Sequence, residues 1–314
     1  MTDFIFNRRQ RIDLSEEAYD IIKNDRFTFA QEKAISYSDI ICRVFLSFVE
    51  YSAARNKNVQ KINEYLSKKR LSTHPKIPSM QNDVLEYLSQ SSIIKLVNEK
   101  EYGGSPGKFI KAVIEEYAEK TFVERERIFY RDIIEKITSN MNKQIRVTSG
   151  NSNLIVIPYE ILPDRQSTYN YLVGLVDSET NPNKFEIASL RISRLRQIHP
   201  IADSISKLED FNIEKIKTAI SQKGVQFLRG ELCRVVVELT DVGKALFNSM
   251  LFQRPVPICI KGDIYEFWCT EAQAEFYFFK FGATVEIIEP QILRRKFSER
   301  YSRAAEIYNA SDSK

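Results

Sequence analysis

At Gln144 the hydrophobic period of this chain changes, and the change limits the folds open to it. Before it, apolar residues recur at helical spacing: Ile41, Val44, Phe45, Phe48 and Val49 in one stretch, Phe129, Ile133 and Ile137 in another. After it, Ile145 and Val147 alternate with polar neighbours, and short runs follow at Leu154–Ile157, Tyr169–Val176 and Phe185–Ile192. Several short strands within about 55 residues predict a small barrel. The fold class is therefore read as α+β, with a helical region ahead of the strands. A length of 314 residues is long for one core and predicts two or three domains.

Within the helical region, Arg9 to Leu14 reads as a brief strand with Ile12 and Leu14 on one face. Ser15 is the expected N-cap of a helix from Glu16 to about Asn24, and Ser38 that of a second helix. The run Gly107–Ile114 can be laid on Ser38–Phe45, with a helix near Asp83–Ser89 standing for the first one, so a second copy of the unit is one reading. Ser72–Pro78, with two prolines, reads as a linker between the copies, and Glu124–Asn142 as a connecting helix. Past the barrel, Phe211–Gln222 is a predicted helix. The order then runs strand Arg234–Leu239, helix Val242–Phe252, strands Val256–Ile260 and Tyr265–Cys269, helix Glu271–Phe281, strand Thr284–Ile288 and a last helix from Gln291. That β-α-β-β-α-β order is the split, ferredoxin-like pattern.

The chemistry-bearing residues gather on two of the strands. Tyr169, Tyr171 and, about twenty residues on, Arg191, Arg194 and Arg196 place phenol rings and guanidinium groups on neighbouring segments, which suits flat bases and phosphates. Arg165 and Lys184 extend the positive strip in adjoining turns. The competing reading is a solvated strand edge for each arginine and a core ring for each of Tyr159, Tyr169 and Tyr171. Arg9 and Arg11 alternate along the first strand and would face DNA if two such strands paired, with Ser38 at a helix start holding a phosphate. The basic run Arg294, Arg295, Lys296, Arg300 and Arg303 spreads around a helix and reads as a solvated face.

Enzyme readings fail on inventory. His74 and His199 each sit beside a proline with no partner at metal-ligand spacing. Gly103–Lys108 lacks the first glycine of a phosphate loop, where Tyr102 stands, and its Ser or Thr, where Phe109 stands. No catalysis, metal or cofactor is expected. The net charge of +4 gives no general pull on nucleic acid, so any such pull must be local. Cys42, Cys233, Cys259 and Cys269 show no close pairing, the first ten residues are not followed by an apolar run, and no window approaches a membrane span. A cytoplasmic protein with reduced thiols and no membrane contact is expected.

The region from about Ile145 to Ile198 resembles the WYL domain, a small Sm-like barrel. The likeness rests on Ile157-Pro158-Tyr159, Tyr171-Leu172-Val173-Gly174 and Arg191-Ile192-Ser193-Arg194-Leu195, with Asn170 standing where the family usually has Trp. Glu271–Gly282 and Val285–Pro290 resemble the extension that follows many WYL domains, and the opening segment is similar to a ribbon-helix-helix unit. With Glu124–Arg127 and Leu251–Pro255 added, the whole resembles the WYL accessory proteins of type VI-D CRISPR systems. The resemblance implies a ribbon-helix-helix-like region over 1–122 (one unit or two), a connecting helix over 123–143, the Sm-like barrel over 144–205 and an αβ dimerisation extension over 206–314. It implies a homodimer that binds single-stranded RNA and assists an RNA-guided CRISPR ribonuclease without cutting RNA. Two rivals stay open: a repressor that reads double-stranded DNA and uses the barrel as a ligand sensor, and a dimerising scaffold.

Overall fold

A computed structural model describes residues 6–29, 35–69, 78–166, 168–178, 181–201 and 208–311. It divides into two compact units, 1–136 and 137–314. Most of the expected linker Ser72–Pro78, with His74, lies outside the described residues.

The first unit is helical: α1 (Glu16–Phe29), α2 (Tyr37–Phe48), α3 (Val59–Ser67), α4 (Asn82–Leu88), α5 (Ser91–Val97), α6 (Pro106–Ala118), α7 (Phe122–Phe129) and the start of α8 (Arg131–Thr138). α6 is its centre: every residue except Lys108 is buried, because α1, α2 and α3 pack around it and its Glu115 and Glu116 find partners in Ser15 and Ser52. Ser15 starts α1 as expected, accepting from the Ala18 N–H at 3.2 Å, and the buried Glu115 of α6 accepts both Ser15 donors. α2 begins two residues earlier than expected. Ser36 forms a capping box with Asp39, while the Ser38 hydroxyl instead accepts from the Ser79 N–H at 3.0 Å. The expected connecting helix is two helices, because Tyr130 (φ −102°, ψ 25°) leaves helical geometry, with its ring against Phe29 and Phe129 and its hydroxyl on the Phe29 carbonyl.

The second unit opens with β1 (Ile145–Ser149), β2 (Ser152–Pro163), β3 (Asn170–Ser178), β4 (Asn181–Arg191) and β5 (Leu195–Pro200). They form one antiparallel sheet in the order β4-β3-β2-β1-β5. β4 and β5 are its edges, so among the described residues the expected closed barrel is an open sheet. A 3-10 turn at Ile192–Arg194 carries the chain from one edge to the other, where β5 pairs with β1 (Ile145↔Pro200, Ser149↔Leu195). β2 shifts register between Pro158, which has no N–H for a ladder, and Glu160. At this bulge Gly174 of β3 lies so close that a Cβ there would stand 2.2 Å from the Ile157 carbonyl oxygen, which accounts for the glycine in Tyr171–Gly174. One sheet face buries Ile145, Val147, Val156 and Leu172. The other packs Ile157, Val173 and Leu175 against Ile216 of α9 (Asp210–Lys223) and against Val225 and Leu228 beyond it.

The rest follows the expected β-α-β-β-α-β order: β6 (Leu232–Leu239), α10 (Asp241–Ser249), β7 (Pro257–Lys261), β8 (Ile264–Thr270), α11 (Glu271–Phe278), β9 (Val285–Glu289) and α12 (Gln291–Ser311). The antiparallel sheet runs β7-β8-β6-β9. Val235, Val237, Phe267 and Ile287 on one face meet Phe247 of α10, Phe278 of α11 and Leu293 of α12. α11 ends earlier than expected, and Gly282 (φ 57°) makes the left-handed reversal into β9. No helix among the described residues is long and apolar enough to cross a membrane.

Candidate nucleic-acid interface

Strand register decides which of the expected side chains meet. Arg191 is the cross-strand partner of Tyr171, and two residues further along, Val173 faces Ser189. Arg191 and Tyr171 therefore share the sheet face that carries Val173 and Leu175. Tyr169 lies just ahead of β3, and the Arg191 guanidinium carbon sits 3.2 Å from the centre of its ring. A planar cation stacked on a phenol is held by the ring quadrupole and loses less freedom on meeting a ligand.

The same guanidinium is short of acceptors. Its Nε and Nη2 are shielded from solvent and have no hydrogen-bond partner among the described residues. Shielded donors left unmet cost about 1–3 kcal/mol each. A phosphate oxygen or base edge that reached them would meet both donors.

The turn before β3 fixes Tyr169. The Asp164 N–H donates to the Tyr169 carbonyl at 3.0 Å, and Asp164 Oδ1 accepts from the Thr168 N–H at 2.8 Å. Asp164 is only 2% exposed. Sequence reasoning passed over it, although an Asp after Pro163 in a short polar connection is a turn signal in its own right. Tyr171 and Tyr159 pack against the apolar cluster under α9, so both follow the core reading. Asn170, at the position of the family Trp, is 0% exposed and offers no surface for stacking.

The other basic residues separate. Arg194 is exposed on the 3-10 turn, where its carbonyl accepts from the Gly150 N–H at 3.4 Å. Arg196 folds back on that turn, its Nη1 donating to the Ser193 and Leu195 carbonyls at 2.9 and 2.8 Å. Arg165 donates from Nη2 to the Ser221 carbonyl at 2.9 Å, in the last turn of α9, where a cation suits the helix end. The Lys184 side chain lies outside the described residues. The expected five-cation strip thus narrows to Arg191 with Tyr169, and Arg194 nearby in sequence.

In the first unit, Arg9 forms an antiparallel bridge with Ser79, flanked by Met80 N–H to Arg8 carbonyl at 2.8 Å and Gln10 N–H to Pro78 carbonyl at 3.3 Å. This short segment is thus bridged within one chain. Gln10, Ile12 and Leu14 point inward, and Arg9 and Arg11 are exposed on the opposite side, as the alternation predicts. Arg11 carries an ion pair to Asp13 at 3.2 Å. The basic run of α12 behaves as a solvated face: Arg294 pairs with Glu286 at 2.6 Å, Lys296 with Glu271 at 3.1 Å, and Arg300 with Glu275. Of the two remaining motif segments, Arg125 is tied to the buried Asp25 and Arg254 to the Phe247 carbonyl.

No protein-family model matches the chain, and no curated protein matches it. Among solved structures it is similar to the crystal structure of a CRISPR Cas-related protein, with 24% identity and a TM-score of 0.74, over 98% of this chain and 95% of that one. The two share a fold. The proteasome accessory factor B/C of Arthrobacter aurescens aligns at 13% identity with a TM-score of 0.27, over 95% of this chain and 50% of that one, too low to argue from.

Proposed function

We propose that this chain is a non-catalytic accessory protein that takes single-stranded RNA on its five-stranded sheet, an open form of the WYL module, and assists an RNA-guided CRISPR ribonuclease. One observation carries the reading: the Arg191 guanidinium lies on Tyr169 with two shielded N–H groups that have no acceptor. A phosphate oxygen or base edge meets both needs, and the exposed Arg194 adds a second backbone contact. The CRISPR role rests on the fold shared with a CRISPR Cas-related protein. The C-terminal αβ region, ferredoxin-like in its order, serves as the dimerisation element of a cytoplasmic homodimer. Fluorescence anisotropy of a labelled single-stranded RNA tests the reading. Wild-type chain binds with an affinity that falls steeply with salt, and Arg191→Met binds more weakly. Equal affinity of the two proteins removes the proposal.

A second reading has its own support. Arg9 and Arg11 stand exposed on a short segment bridged within one chain, which suits duplex DNA. A gel shift with duplex DNA, using wild type and the Arg9→Ala/Arg11→Ala variant, separates the two readings. Retention of duplex binding in that variant counts against that segment.

A further inference from the structure

The first unit holds an open cavity of about 420 Å³ between the segment carrying Arg11 and Asp13, α3 and the start of α6. Gly107 builds it. A Cβ at that position would stand 2.2 Å from the Arg11 carbonyl oxygen, so only glycine lets the first turn of α6 lie directly on the Arg11 backbone. That approach brings Arg11, Lys108 and Lys111 to one wall. Lys111 is 6% exposed, and its ammonium donates to the Lys68 carbonyl. Burial pushes its pKa below the ordinary lysine value, the mark of a cation short of solvation that an anion would relieve. Lys108, one turn earlier, stays exposed at the mouth. Asp13 and Glu101 also line the space, and Asp13 pairs with Arg11. Three cations against two carboxylates leave a net positive site with acceptors beside it.

We propose that this cavity binds a sugar phosphate, the phosphomonoester held by Lys108 and Lys111 and the sugar hydroxyls donating to Asp13 or Glu101. The volume suits a ligand of that size. The monoester carries nearly two negative charges at neutral pH and accepts from several donors at once, which matches paired ammonium groups better than a carboxylate does. The site is independent of the RNA reading, since neither Arg191 nor Tyr169 takes part. The same chemistry could come from a free sugar phosphate or from the 5′-terminal nucleotide of an oligonucleotide.

Isothermal titration of the full chain with two matched pairs of probes tests this: ribose 5-phosphate against ribose, and a 5′-phosphorylated against a 5′-hydroxyl tetranucleotide. The phosphorylated member of at least one pair binds at least about tenfold more tightly than its partner. A preference in the ribose pair assigns the site to a free sugar phosphate, and a preference confined to the tetranucleotide pair assigns it to an RNA or DNA end. The preference falls by about tenfold in Lys108→Gln, an exposed change that leaves the fold alone, and further in Lys111→Met. Absence of any preference in both pairs, or a preference that survives intact in Lys108→Gln, overturns the proposal.

Discussion

Replacing Arg191 by methionine separates a ligand-binding arginine from a structural one, because the two roles predict opposite stability changes. Methionine keeps an apolar stem on the sheet face and deletes the guanidinium. The fold loses the stacking on Tyr169, worth about 0.5–2 kcal/mol. It also sheds two shielded donors that lack acceptors, each costing about 1–3 kcal/mol. The balance lies at or above zero, so urea denaturation of Arg191→Met is expected to give an unfolding free energy equal to wild type or higher by about 1–2 kcal/mol. Binding moves the other way. A charge-assisted contact to phosphate contributes about 1.5–3 kcal/mol, so affinity for single-stranded RNA falls roughly 10- to 150-fold. The slope of log affinity against log salt should shrink by about 0.7, the share of one phosphate on a single strand. Arg191→Lys is not expected to restore binding, since an ammonium neither stacks flat nor presents a fork. A variant that loses more than about 1 kcal/mol of stability and binds RNA within twofold of wild type refutes the reasoning. Arg191 would then be a clamp on Tyr169 and nothing else.

Gly174→Ala pushes a methyl to 2.2 Å from the Ile157 carbonyl oxygen in the middle of the β2–β3 ladder, and should lower the unfolding free energy from urea denaturation by about 1–3 kcal/mol or more; an unchanged value would mean that the bulge yields freely. Asp25→Leu leaves Arg125 without its 2.7 Å partner and Tyr117 without the acceptor of its hydroxyl, so chemical denaturation should report a loss of about 3–5 kcal/mol, and a loss under 1 kcal/mol contradicts it. Lys111 has a folded-state pKa below its ordinary 10.5, so between those two values the unfolded chain holds the proton and wild-type stability rises with pH. Lys111→Met should therefore be the more stable protein at neutral pH by a margin that narrows toward pH 10.5; a margin independent of pH disproves the coupling.

Several strands of the second unit were readable because their burial is one-sided. Ile145 and Val147 alternate with Arg146 and Thr148, and β6, β8 and β9 each carry an apolar face toward one set of helices. Period two survives wherever one face of a sheet meets solvent. The break between α7 and α8 was not readable, because Tyr130 is an acceptable helix residue whose departure comes from Phe29, a hundred positions away. The closed barrel failed for a similar reason. β1 to β4 pair as sequence neighbours, but β5 crosses to β1, and whether the two edges β4 and β5 could meet depends on the turn at Ile192–Arg194.

That turn also explains why three arginines within six residues do three different things. A strand continued through Ile192 would set Arg191 and Arg196 on alternate pleats of one edge. The 3-10 turn instead leaves Arg191 on β4 facing Tyr169, exposes Arg194, and hands Arg196 to β5 at the far edge. Charge density in a sequence counts cations without counting acceptors, and backbone carbonyls are invisible to it. Arg196 and Arg165 found carbonyls at Ser193, Leu195 and Ser221, and are occupied by the fold itself. Arg191 found a ring, which attracts a cation yet accepts none of its in-plane hydrogen bonds. Of Arg165, Arg191 and Arg196, it is Arg191 whose guanidinium is met in charge by a phenol and left with unmet hydrogen-bond donors.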